Sequence, residues 1–186
     1  MLHHLKSFKT ISMFFNVALL IYFPVIALAQ TTILPPLHTT DAKKGLTFSV
    51  SEYSPDSVTG IAVLVCSELD GQTESCNPYQ GDQLCSIALP VLCFQDVNAL
   101  APAPLKNTKS WSGGIIATTP PIAANTFKTI ANANAYCATQ FGKNWRVANF
   151  HDGGGWGLQA YGNIGTLKKH VWIDIKSQKQ GTCWGR

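Results

Sequence analysis

The sequence predicts one α+β domain, with a small antiparallel sheet or sheets, one main helix and stabilising disulfides. Three observations predict this class. Residues 46–51 alternate apolar and polar side chains, the period of two that a half-buried strand requires. Apolar residues recur at helical spacing from Ile130 to Phe141. Six cysteines, an even number, lie between Cys66 and Cys183.

The first 29 residues have the pattern of a signal peptide. A basic start precedes an apolar run, residues 11–29, that ends in Ala-Leu-Ala before Gln30. This pattern predicts cleavage after residue 29 and a protein that is secreted or periplasmic. The run is close to the roughly 20 residues that span a bilayer, so an uncleaved anchor is the alternative. Asn16 and Pro24 interrupt the run, which favours cleavage.

The remaining chain, residues 30–186, is weakly basic. It carries twelve Lys and Arg against ten Asp and Glu, a net charge of +2. The positive charges are scattered, which excludes the basic surface of a nucleic-acid binder. We expect no stable membrane insertion once the signal is removed. A chain of this length buries roughly two-thirds of its unfolded surface, so disulfides supplement a real core.

The exported chain divides into a leader and one domain. Residues 30–44 show no period and predict a flexible leader. The domain, residues 45–186, has a cysteine-rich β part at 45–105 and a part with the helix and a short sheet at 111–186. The Ala-Pro repeat at 101–104 is typical of a hinge between them.

Several elements can be placed within the domain. The apolar run 60–66 predicts a second strand, paired antiparallel with the first. A helix is predicted over about 127–140, with Gly142 as its stop. Its candidate caps are Asn125, Thr126 and Thr129. Short strands are predicted at 145–148 and 171–175.

The six cysteines predict three disulfides in an oxidising compartment. The preferred pairing joins Cys137 of the helix to Cys183, after the last strand, because such a bond would span one core. The other four then pair among themselves: Cys66, Cys76, Cys85 and Cys93. A four-cysteine zinc site is the alternative, but its ligands normally come in close pairs, and nine, eight and seven residues lie between these successive cysteines. We expect no metal and no cofactor.

The candidate ligand-binding residues lie in and after a glycine-rich stretch, and they are His151, Asp152, Trp156 and Tyr161. All five tryptophans and eleven of the fifteen glycines fall between residues 111 and 185. Glycines let a ligand approach the backbone while an aromatic ring stacks on it. The ligand would be a glycan or another protein. The competing interpretation is a packed turn in which His151 and Asp152 bond nearby backbone groups.

Catalytic alternatives have weaker support, and we predict no catalytic residues. A hydrolase could use Asp152 and His151, and a metal site would need a third ligand such as His170 or Asp174. A cysteine nucleophile needs a free thiolate, which an even cysteine count in an exported chain argues against. The favoured function is a non-catalytic binding module. The alternative is an envelope or secreted structural partner that presents a protein-binding surface without a pocket.

Three segments resemble the first half of a C-type-lectin-like domain. They are 131–137, 141–148 and 171–175, which match its cysteine-bearing helix and two short strands. The tripeptides that carry calcium and sugar in that family are absent here, so the resemblance implies no ligand residue. Residues 76–79, 111–114, 150–154 and 183–184 resemble a group of small exported bacterial proteins of no established function. That resemblance covers nearly the whole exported chain and implies export alone.

Overall fold

A computed structural model describes residues 42–51, 60–66, 76–103, 105, 108–162, 164 and 170–186. The predicted signal peptide and the predicted leader as far as residue 41 lie outside the described residues. Thr39–Arg186 forms one compact unit. None of the helices within the described ranges has the length and apolar character needed to cross a membrane.

The described chain forms eleven strands, one α-helix and three short 3₁₀ helices, so the fold is α+β as predicted. The strands are β1 (Lys44–Gly45), β2 (Thr47–Val50), β3 (Ile61–Val65), β4 (Gln83–Leu84), β5 (Ala88–Leu89), β6 (Leu92–Asp96), β7 (Trp111–Thr118), β8 (Ile122–Ala123), β9 (Arg146–Val147), β10 (Gly157–Tyr161) and β11 (His170–Trp172). Helix α1 spans Ile130–Phe141. The 3₁₀ helices are Thr108–Ser110, Ala124–Thr126 and Lys179–Gly181.

Seven strands form one mixed sheet in the order β11-β2-β3-β10-β7-β6-β9. Its neighbours are antiparallel except for the parallel pair β10 and β7. The two ends of the sheet meet, because parallel bridges pair Val91 with Trp172 and Asn149 with Asp174. The Trp172 amide donates to the carbonyl of Pro90 at 2.8 Å in this closure. Closure pairs backbone groups that an open sheet would leave at its edges.

Strand β2 forms where the alternating pattern predicted it, and β3 pairs with it antiparallel as expected. The half-buried character is wrong, because Thr47 and Ser49 are 0% and 2% exposed. Strand β2 lies between β11 and β3 within the closed sheet. On its polar face the Thr47 hydroxyl contacts Asp82 and His170, so this face does not meet solvent.

Helix α1 begins three residues later than predicted and ends at the predicted stop. Residues Ala124–Thr126 form a 3₁₀ helix and Phe127 is extended, so the chain becomes α-helical only after Thr129. The Thr129 hydroxyl accepts a hydrogen bond from the Asn132 amide at 3.3 Å, and Gly142, with φ of 123°, closes the last turn. Thr129 was one of the three predicted caps.

All six cysteines form disulfides, which confirms the predicted number of bonds. The pairs are Cys66–Cys76, Cys85–Cys183 and Cys93–Cys137. The preferred pairing of Cys137 with Cys183 is wrong, and so is the pairing of the other four among themselves.

The packing of α1 explains the error in the pairing. Helix α1 lies against β9, and β9 pairs with β6, so Cys137 faces Cys93 of β6. Cys183 lies beside β1, where the Lys43 ammonium donates to the carbonyl of Cys183 at 2.9 Å. The amide of Cys85 donates to the carbonyl of Lys43, also at 2.9 Å, so Lys43 brings these two cysteines together.

Two clusters of buried side chains make up the core. The larger one is formed mainly by residues of the seven-stranded sheet, with Phe48 and Leu158 fully buried. The second surrounds Trp172 and Trp184 and contains two of the three disulfides. Large rings packed against disulfides fill the space between α1 and the sheet.

Strands of the cysteine-rich part and of the helix-bearing part are interleaved in the sheet. Strands β2, β3 and β6 come from residues 45–105, while β7, β9, β10 and β11 come from residues 111–186. The Ala-Pro segment at 101–104 follows β6 and precedes β7, its antiparallel partner.

Candidate functional site

The loop between β9 and β10 is held by the carboxylate of Asp152. The Arg146 guanidinium donates two hydrogen bonds to it, both at 2.8 Å, and the amide of Asn149 donates a third at 2.7 Å. The same guanidinium lies 4.7 Å from the centre of the Phe94 ring. Its hydrogen bonds with Asp152 raise the pKa of Arg146 above the ordinary value. Asp152 is thus engaged with Arg146 of β9 and with the backbone of its own loop.

The glycines of this loop allow backbone to pack directly on backbone. A Cβ at Gly153 would lie 2.9 Å from the carbonyl oxygen of Ser110, and one at Gly154 would lie 2.7 Å from that of Lys109. Gly154 also has φ of +84°, which side chains rarely adopt. The loop can therefore lie against the 3₁₀ helix Thr108–Ser110 only because these positions lack side chains.

Trp156 follows these glycines and presents its ring to solvent. The residue is 58% exposed, yet its carbonyl accepts a hydrogen bond from the Cys66 amide at 3.0 Å. The Phe150 ring meets the indole edge-on, with 5.8 Å between centroids. The backbone and one edge of Trp156 are therefore fixed while much of the ring stays accessible.

A cleft of about 500 Å³ lies beside Trp156. Two cross-strand pairs of β3 and β10 line it, Val63 with Gln159 and Val65 with Gly157. These positions alternate with buried residues, so they face outward from the core. The lining also includes Trp156, the glycine loop and the first 3₁₀ helix.

Besides the indole N–H of Trp156, three side chains bring polar groups to the cleft. Lys109 brings a positive charge, and no carboxylate occurs among the described lining residues. Ser110 adds a hydroxyl near Gly157. The amide oxygen of Gln159 is buried and has no hydrogen-bond partner among the described residues.

Of the four predicted ligand-binding residues, the structure places Trp156 in this cleft. Asp152 is held by Arg146, as described above. His151 is exposed, with its Nε2 at 3.2 Å from the Ser177 hydroxyl. Tyr161 is half-buried, and its ring packs edge-on against Trp111 with 5.1 Å between centroids. His151, Asp152 and Tyr161 are not among the residues that line the cleft.

The residues considered for a metal or a hydrolase are engaged elsewhere. Asp174 is buried and accepts hydrogen bonds from Arg186 at 2.9 Å and Thr182 at 3.0 Å. His170 lies on β11, with its Nδ1 at 2.7 Å from the Thr47 hydroxyl. Across the described ranges, no group of three or more His, Cys, Asp or Glu side chains is placed to hold a metal ion.

A buried carboxylate that was not among the predicted site residues is Asp82, which is 4% exposed. It accepts hydrogen bonds from the Thr47 amide at 3.0 Å, from the Thr47 hydroxyl, and from the Asn77 amide at 3.4 Å. Burial raises the pKa of Asp82 above its ordinary value, and the hydrogen bonds from Thr47 oppose that shift. Asp82 follows Gly81 in a polar turn, and no local pattern there indicates burial.

No protein-family model, no curated protein and no solved structure matches this chain.

Proposed function

We propose that this protein is an exported, non-catalytic binding module whose ligand occupies the cleft beside Trp156. The observation that carries the proposal is the exposed indole of Trp156. A large apolar ring left 58% exposed at the wall of a concave surface is typical of a ligand contact. The cleft volume of about 500 Å³ is in the range of small-ligand sites.

The rigidity of the site supports the same proposal. The loop that carries Trp156 is fixed by Asp152 and Arg146, and its glycines lie against the first 3₁₀ helix. A contact residue that is already ordered loses little conformational entropy when a ligand binds. The fixed loop would therefore favour binding even though much of the Trp156 ring lacks a protein contact.

The proposed location of the protein is the periplasm or the outside of the cell. The three disulfides are consistent with a periplasmic or extracellular protein, where thiols are oxidised. The proposed route is the signal peptide at residues 1–29.

A structural partner that uses a flat surface is the second candidate. Leu100 is 88% exposed and Val97 is 40% exposed, and both follow β6. Exposed aliphatic side chains of this kind favour a contact with another protein.

Binding to an array tests the proposal. The array would carry neutral oligosaccharides, acidic oligosaccharides and extended peptides, probed with the wild type, Trp156→Ala and Tyr79→Ala. Tyr79 is a matched control, because it is 60% exposed and does not line the cleft. We expect at least one ligand class to bind the wild type and the Tyr79 variant but not the Trp156 variant. If both variants bind every ligand as the wild type does, the cleft is not the site and the flat-surface candidate gains.

A further inference from the structure

We infer that the ligand of the cleft is a saccharide, with one sugar ring stacked on Trp156 and one hydroxyl donating a hydrogen bond to the amide oxygen of Gln159. This inference rests on the proposed function of the cleft and specifies its ligand class. Three features of the cleft carry it: the accessible indole, the paired strands of its floor, and an amide oxygen that has no partner within the described ranges.

The indole of Trp156 offers a flat apolar surface to a ligand. The residue is 58% exposed, and the Phe150 ring stands at 78° to the indole with 5.8 Å between the centroids. A ring at this angle covers at most one face of the indole, so Phe150 leaves the other face open. A sugar ring has an apolar face of C–H groups that can pack on such a surface while its hydroxyls remain at the edges.

The floor of the cleft favours a sugar over an extended peptide. An extended peptide gains most from main-chain hydrogen bonds to a free strand edge. Strand β3 is paired with β2 and β10, and β10 is paired with β3 and β7, so the floor strands are occupied on both sides. The ligand is therefore contacted by side chains of the floor and by the indole.

The lining mixes apolar and polar groups at close spacing. The Val63 side chain lies beside Gln159 in the cross-strand pair, and the hydroxyl of Ser110 lies near Gly157. A wholly apolar ligand would remove water from Gln159 and Ser110 without replacing its hydrogen bonds, which costs binding free energy. A ligand with both apolar C–H groups and hydroxyls satisfies both kinds of lining, and saccharides have this composition.

The amide of Gln159 indicates a hydroxyl donor. Its oxygen is buried and has no hydrogen-bond partner among the residues that the structure describes, which is a costly state for a polar atom. The last torsion of glutamine is soft, so the amide can turn toward the cleft that Gln159 lines. A sugar hydroxyl in the cleft donates the hydrogen bond that this oxygen lacks.

The first test measures dissociation constants by calorimetry on the full exported chain. The probes are chitotriose, cellotriose, mannotriose, galactotriose and trigalacturonate. We expect at least one of them to bind the wild type, and Trp156→Ala to weaken that binding about tenfold or more. Tyr79→Ala, an exposed ring outside the cleft lining, should bind as the wild type does.

A second variant tests the role of Gln159. Gln159→Met should weaken the bound saccharide about fivefold, because it removes the acceptor and keeps a side chain of similar length. Gln140→Met is the matched control, because Gln140 lies on the exposed face of α1, and its affinity should equal that of the wild type.

Monofluoro analogues of the bound saccharide identify the hydroxyl. Each analogue replaces one hydroxyl by fluorine, which removes the proton donor. At one position the replacement should weaken binding to the wild type about fivefold and leave binding to Gln159→Met unchanged, because that variant has already lost the acceptor. The comparison within the wild type does not depend on how any variant folds.

The outcomes separate this inference from the proposed function. If peptides bind in a Trp156-dependent way and no saccharide does, the ligand class is wrong and the binding cleft stands. If every monofluoro analogue binds the wild type as tightly as the parent saccharide, the hydroxyl contact to Gln159 is wrong. If no ligand depends on Trp156, the proposed function fails and this inference fails with it.

Discussion

Removing the disulfide Cys93–Cys137 should destabilise the protein more than removing Cys66–Cys76. The two bonds close loops of very different length, 44 and 10 residues in sequence separation. A disulfide stabilises a fold largely by restricting the unfolded chain, and the restriction grows with the loop it closes. The comparison uses two double variants, Cys93→Ala/Cys137→Ala and Cys66→Ala/Cys76→Ala.

The loop lengths give the expected magnitudes. The chain-entropy relation predicts a loss of about 4 kcal/mol for the 44-residue loop and about 2.7 kcal/mol for the 10-residue loop. Packing also makes the loss of Cys93–Cys137 the larger one, because Cys93 and Cys137 are 0% exposed whereas Cys76 is only partly buried. The difference between the two variants should therefore be at least about 1.3 kcal/mol.

Urea unfolding under non-reducing conditions, followed by circular dichroism, measures both free energies. At about 2–4 °C per kcal/mol, the longer-loop variant should also melt several degrees below the other. Equal losses, or a larger loss for Cys66→Ala/Cys76→Ala, would show that the pairing or the loop-entropy reasoning is wrong.

A tryptic digest of the oxidised protein checks the pairing itself. Trypsin leaves Cys66, Cys76, Cys85 and Cys93 in one peptide, residues 45–106. The observed pairing links that peptide to both 129–143 and 180–186. A direct link between 129–143 and 180–186 would instead restore the pairing that the sequence suggested.

Three further predictions concern single residues. The pKa of Asp82 is raised above its ordinary value of 3.8, so its contribution to stability is present below pH 3.8 and is lost as the pH rises through the folded-state pKa. Unfolding titrations should show this decline in the wild type and not in Asp82→Asn. Gly153→Ala should lower the free energy of unfolding by about 3 kcal/mol, since its Cβ would lie 2.3 Å from a peptide oxygen. Gly60→Ala has open space around its Cβ, so the positive φ of residue 60 is its main cost, and urea unfolding should show a loss of about 1 kcal/mol. Arg186→Gln should cost about 2 kcal/mol by the same measurement, because it removes the cation paired with the buried Asp174, and an unchanged midpoint would contradict that role.

The candidate site could be predicted in part. The concentration of glycine and tryptophan predicted a ligand-binding loop that includes Trp156, and the structure places that ring beside a cleft. The other lining residues could not be predicted from the sequence. Val63 and Gln159 are almost a hundred positions apart in the chain and become neighbours only when β3 pairs with β10. The first 3₁₀ helix, which carries Lys109 and Ser110, comes from a third segment.

The local elements could be predicted from the order of the amino acids: β2, β3, the end of α1 at Gly142, and the presence of three disulfides. Periodicity, caps and cysteine parity depend on neighbouring residues or on composition, so they can be read without the fold. The pairing of the cysteines, the closure of the sheet and the burial of Asp82 could not be predicted in this way. These depend on how distant segments pack, and because many packings satisfy the same local pattern, the pattern alone does not choose among them.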